Sequence, residues 1–72
     1  MNTILVTHYD SKDNQIGESF DADLTKYMDA NRDNGFDWML AITDFWNGRS
    51  YKTVNMPYGN VELTLIMTGE TL

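Results

Sequence analysis

One histidine, no cysteine and eleven carboxylates, eight of them aspartates, are the side chains of this 72-residue chain with the most obvious chemistry. His8 has the residue type of a general base, since an unperturbed imidazole titrates near neutrality. Strand alternation places it with Ile4 and Val6 or just past them, and no serine or acid stands at an informative spacing from it. A strand-end histidine facing solvent or capping the core is the simpler expectation. The run Asp29-Ala30-Asn31-Arg32-Asp33-Asn34-Gly35 has the look of a calcium loop. An EF-hand needs glycine at its sixth position and a bidentate glutamate at its twelfth. Counted from Asp29 these are Asn34 and Leu40, so both requirements fail and a polar helix end is expected instead. No nucleophile elbow, phosphate-cradling glycine loop or dinucleotide fingerprint is present, so no catalytic residue is assigned.

The acids carry a different signal. Residues 1–44 hold nine acids against three bases and therefore the whole net charge of −6, while residues 45–72 are neutral. Such a field repels nucleic acid and anionic membranes and attracts basic protein surfaces. A solubilising surface accounts for most charge runs of this kind. The sharper reading is that Asp21, Asp23, Asp29, Asp33 and Asp37 imitate phosphate spacing and occupy a basic groove of a partner. A second set of interaction residues lies at Trp46, Arg49 and Tyr51, with Phe45 beside them and Tyr58 at the next turn. Trp, Tyr and Arg most often dominate interface energies, and a hairpin tip cannot bury them all in its own core. Against this, Phe45 and Tyr51 can pack across strands, with Trp46 folded over the sheet edge.

The chain must position these groups with little material. It reads as a single domain, residues 1–72, and its 42% hydrophobic content is enough for a folded core. Below about 70–80 residues one core seldom gives more than roughly 3–5 kcal/mol, so small domains lean on disulfides, metals or partners. The absence of cysteine excludes disulfides and thiolate metal sites, and one histidine cannot assemble the usual zinc ligand sets. No cofactor is expected, and a partner protein or a homodimer is the remaining source of support. No stretch approaches the roughly 18–20 apolar residues of a membrane span. The start Met1-Asn2-Thr3-Ile4-Leu5-Val6 lacks the basic lead and apolar run of a secretory signal, so a cytoplasmic location is expected.

The β-branched run Thr3 to Tyr9 predicts a strand, Asp10 to Asn14 a polar turn, and Gln15 to Phe20 a shorter returning strand with Gly17 inside it. Asp21 then serves as helix N-cap, with Leu24, Tyr27 and Met28 as an apolar stripe and Asn34-Gly35 as the stop. In Phe36 to Phe45, the residues Phe36, Trp38, Leu40 and Ile42 alternate onto one face and predict a central strand. Asn47-Gly48 signals a tight hairpin, Ser50 to Met56 the returning strand, Pro57 to Asn60 a turn and Val61 to Met67 a last strand. The expected fold is α+β: a small antiparallel sheet with one helix packed on one face, in the order ββαβββ.

These readings together predict a small acidic protein-binding inhibitor of the type that phages and mobile elements use, by analogy of size and charge and not of motif. It would occlude a nucleic-acid-handling host protein by nucleic-acid mimicry, as an anti-CRISPR or anti-restriction protein does. It would bind a protein with a basic surface, and neither nucleic acid nor membrane directly. The alternative is a non-catalytic accessory or structural subunit of a larger assembly; a small-ligand-binding domain comes third, because the core leaves little room for a pocket.

Overall fold

The computed structural model describes residues 2–53 and 59–68, the last two of these by their backbone only. Strand β1, Asn2–Tyr9, is hydrophobic on alternate residues, and Ile4 and Val6 are fully buried. Strand β4, Asn60–Thr68, pairs with it antiparallel and sets Val61, Leu63 and Leu65 on the same face. The ladder runs from Tyr9 opposite Asn60 to Asn2 opposite Thr68, with a bulge where Ile4 faces Leu65 but Thr3 faces Met67. Ile66 is the extra residue of that bulge and is exposed. Strand β2, Phe20–Asp23, lies along the outer side of β1, and the two-residue strand β3, Tyr51–Lys52, along the outer side of β4. The sheet is antiparallel throughout, in the order β2-β1-β4-β3.

Two helices cover one face of it. Helix α1, Leu24–Ala30, packs on β1 and β2, and helix α2, Trp38–Trp46, on β3 and β4. The chain thus leaves one sheet edge at β2, crosses the covered face through both helices and re-enters at the opposite edge. The α+β class and the antiparallel sheet agree with the sequence, as do β1, β4 and the buried Leu24 of the first helix. The order is ββααββ, with two helices and not one.

The segment expected as a central strand, Phe36 to Phe45, is mostly α2. Its apolar residues satisfy both periods: Trp38, Ala41, Ile42 and Phe45 stand at i, i+3, i+4 and i+7 and turn inward onto the core. Met39, Leu40 and Ala41 are good helix formers, and the Asp37 carboxylate caps the helix by accepting the Leu40 N–H at 3.1 Å. Asn47-Gly48 then closes the helix and makes no hairpin. Gly48 takes φ +71, its N–H donates to the Phe45 carbonyl and the Arg49 N–H to the Asp44 carbonyl, a Schellman ending. Asn-Gly serves a hairpin and a helix end for the same reason, the positive φ that glycine adopts freely.

The first hairpin also differs. The polar turn forms at Asp10–Asn14, where the Asp10 carboxylate accepts the N–H groups of Lys12 and Asn14. Gln15 makes one bridge to Tyr9, after which Gly17, at φ +70, interrupts the ladder until Phe20. The returning strand therefore falls later than expected, and Asp21 lies inside it opposite Leu5. The cap of α1 is Asp23, whose carboxylate accepts the Lys26 N–H at 3.0 Å.

Among the described residues the strand expected over Ser50 to Met56 forms only at Tyr51–Lys52; its last residues 54–56, and residues 57 and 58 of the turn after them (Tyr58 included), lie outside the described residues. Past Lys52 a side chain continues the ladder. The buried Thr53 hydroxyl accepts the Val61 N–H at 2.8 Å, while the Thr53 N–H donates to the Val61 carbonyl at 2.9 Å. Thr53→Val keeps the shape but leaves the Val61 N–H unpaired, and should lower unfolding free energy by about 1–2 kcal/mol in urea titrations. Gly59 stands at φ +109, and a Cβ there would overlap the Tyr9 carbonyl oxygen. Gly59→Ala should therefore cost more than about 2 kcal/mol, whereas Gly17→Ala, with open space around it, should cost about 1 kcal/mol.

Candidate protein-binding surfaces

The sheet separates the expected interaction residues into two groups. Asp21 and Asp23 stand on β2 and Asp29 on α1, at one edge; Asp33 follows in the turn, and Asp37, Trp46, Arg49 and Tyr51 belong to α2 and the β3 edge. They do not form one continuous site.

Much of the acidic side chain chemistry is local. Asp23 and Asp37 accept the N–H groups that open the two helices, where a carboxylate also complements the helix dipole. Asp29 meets Arg32 at 2.7 Å across one helical turn, with both side chains largely in water. Asn31 and Asn34, part of the calcium-like run, close α1: the Asn31 amide donates to the Tyr27 carbonyl and the Asn34 amide to the Asn31 side chain. Asp21 and Asp33 are exposed and hold no side-chain partner among the described residues. Capping orients these carboxylates without neutralising them. The charge at the β2–α1 edge (Glu18, Asp21, Asp23 and Asp29, against Lys26 and Arg32) therefore remains directed at solvent.

On the face of the sheet that no helix covers, Asp13 ties the first turn to the far strands. It accepts from the Lys52 ammonium at 3.0 Å and from the Asn60 amide at 3.3 Å, and the same ammonium lies 4.7 Å above the Tyr9 ring. These bonds hold the Asp13 carboxyl below the ordinary 3.8 and raise Lys52. Asp10 is held low by its bonds from Asn14 and Lys12. A carboxylate whose pKa is lower in the folded chain stabilises it above the unfolded value and ceases to as pH falls through the folded one. Stability should thus fall with acid below about pH 4. Asp13→Asn should flatten that dependence in thermal melts between about pH 2 and pH 5.

The second surface is α2 itself. Its inward residues pack on the core, yet its outward side is also apolar: Met39 is 84% exposed, Trp46 59% and Leu40 48%. Thr43 and Asp44 interrupt that outward side, so α2 is apolar over more than its core-facing stripe but not all round. The strand reading of this segment had hidden Met39 and Leu40 as surface residues; placing them at 100° per residue from the Asp37 cap would have found them. Trp46 and Arg49 lie exposed at the C-terminal end of the helix, and Arg49 makes no ion pair among the described residues. Tyr51 is different. It is buried, and its hydroxyl accepts the Asp37 N–H at 2.9 Å, so it anchors the start of α2 and presents no surface to a partner.

His8 is exposed and stacks on Phe20 with ring centroids 6.0 Å apart. Among the described residues no three His, Asp or Glu side chains converge to hold a metal ion, and no helix is long and apolar enough to cross a membrane. No protein-family model, curated protein or solved structure matches the chain.

Proposed function

We propose that this chain is a small acidic inhibitor that binds a basic protein surface and occludes it. The favoured target is a nucleic-acid-handling host protein whose groove the carboxylates fill, as an anti-CRISPR or anti-restriction protein from a phage or mobile element would. It acts in the cytoplasm by occlusion, without a cofactor or a chemical step. The observation that carries this reading is the charge at the β2–α1 edge and the turn after it, where Glu18, Asp21, Asp29 and Asp33 are all exposed. Three of the four are aspartates, whose short side chains limit how far the charges can move. A pre-oriented charge array loses less entropy on binding than a floppy one.

The apolar outer side of α2 favours a second reading, in which the chain is an accessory subunit of a larger assembly. The two differ in salt dependence. Contacts among exposed charges weaken as salt shortens the screening length, whereas burial of apolar surface does not.

Affinity capture from bacterial lysate should retain a basic nucleic-acid-binding protein that elutes with salt and is displaced by double-stranded DNA or RNA. Reversal of Asp21, Asp29 and Asp33 to Lys should reduce that capture about tenfold or more at low salt. The melting temperature should change little, since none of the three caps a helix. Undiminished capture at low salt excludes the acidic edge as the binding surface. A neutral partner that resists salt moves the assignment to the accessory subunit.

A further inference from the structure

We infer that Asn34 is a site of spontaneous covalent modification, where the side-chain amide is lost and a carboxylate is added to the turn between the two helices. The inference rests on the backbone of that turn and does not require the acidic edge to bind anything.

An asparagine followed by glycine can close a cyclic imide with its neighbour. The glycine nitrogen attacks the side-chain carbonyl carbon of the asparagine, and its proton leaves with the amide group as ammonia. Water then opens either of the two C–N bonds of the imide. One opening gives aspartate; the other gives isoaspartate, in which the main chain runs through the side chain. Glycine favours the reaction because no Cβ hinders the close approach of its backbone.

Among the asparagines of this chain, Asn34 and Asn47 precede glycine. The structure treats the two oppositely. At Asn47 the nucleophile is occupied, since the Gly48 N–H donates to the Phe45 carbonyl at 3.1 Å. The Asn47 side-chain amide is drawn back along α2 and donates to the Thr43 carbonyl at 2.9 Å. The Arg49 N–H holds the Asp44 carbonyl at 2.7 Å, so ring closure there must open the whole C-terminal cap of α2. At Asn34 the Gly35 N–H has no partner among the described residues. Both residues are exposed, and Gly35 stands at φ +84. The Asn34 N–H donates to the Asn31 carbonyl, a bond that engages neither reacting group. The Asn34 amide is held by one exposed side-chain bond, to Asn31 Oδ1 at 3.0 Å. Local opening at exposed turns costs little, so this bond is a weak barrier.

The product differs from its parent in two ways. An ionised carboxylate has no proton to donate to Asn31 Oδ1, so the bond between the two side chains is lost. One amide turned to acid takes the net charge from −6 to −7, and the new charge stands in the chain between Asp33 and Asp37. Isoaspartate also lengthens the backbone just before Phe36, whose ring stacks on Trp38 at 4.8 Å. The turn thus gains charge as the molecule ages, and in one direction only.

Incubation of the folded full chain at mildly alkaline pH, with peptide mapping by mass spectrometry at intervals, tests this. Asn34 should convert to a mixture of aspartate and isoaspartate at least about tenfold faster than Asn47. The ageing protein should also elute later from an anion exchanger. In concentrated urea the two sites should react at similar rates, because unfolding removes the cap over Gly48. Asn34→Gln should abolish the early acidic species with the melting temperature little changed. Equal rates in the folded chain, a faster Asn47, or aspartate without isoaspartate at Asn34 overturns the proposal. A rate difference that persists undiminished in urea belongs to the flanking residues and overturns it too.

Discussion

Four aromatic rings hold the two helices to the sheet, and the placement of every surface described above depends on them. Phe36 stacks on Trp38 at 4.8 Å, Tyr27 of α1 meets both edge-on at 5.9 and 6.2 Å, and Tyr51 of β3 approaches Phe36 at 6.5 Å. Helices of seven and nine residues do not persist alone in water, because nucleation costs more than so few hydrogen bonds return. The rings supply the missing tertiary contact, each pair adding about 0.5–1.5 kcal/mol beyond the area it buries. They also set the rotation of α2. With Trp38 turned in against Phe36, and the Tyr51 hydroxyl holding the Asp37 N–H, Met39 and Leu40 can only face out.

That constraint gives the molecule its two unlike sides. The β2–α1 side is charged and built from residues that also organise the backbone, so a carboxylate such as Asp23 is at once a cap and a surface charge. The α2–β3 side mixes charges of both signs (Asp37, Asp44, Arg49 and Lys52) with the exposed apolar residues Met39, Leu40 and Trp46. A domain with few fully buried side chains would ordinarily keep Trp and Met inward; here an outward set remains after the core is filled. The uncovered face of the sheet does not compete for them, because polar contacts such as Asp13 with Lys52 and Ser50 with Thr64 occupy it.

What was legible in the sequence follows from how many structures each pattern permits. Alternation in Ile4 and Val6 and again in Val61, Leu63 and Leu65 permits one face and one strand type, and both central strands are where it places them. The stripe of Leu24, Tyr27 and Met28 likewise leads to α1, though Asp21 and Asp23 compete for the cap and only the β2 ladder decides between them. The stretch from Phe36 to Phe45 is apolar at almost every position, so both periods fit it, and contact with the other rings selects the helix. The candidate binding residues inherit the same division. The exposed aspartates and Trp46 were visible from type alone; Met39 and Leu40 emerge only once the strand is replaced by a helix, and Tyr51 passes from surface to core.

The pairing of β1 with β4 sets a schedule as well as a shape. Asn2 lies beside Thr68, so the central ladder joins segments some sixty residues apart in the chain. A chain emerging from the ribosome with β1, β2 and both helices complete still has no neighbour for the inner side of β1, and β3 has none at all. The cluster around Ile4 and Val6 is complete only once Leu63 and Leu65, which follow both helices in the chain, lie beside them. Folding is therefore deferred until translation has passed β4, and until then the apolar residues of α2 stand open to whatever binds them first.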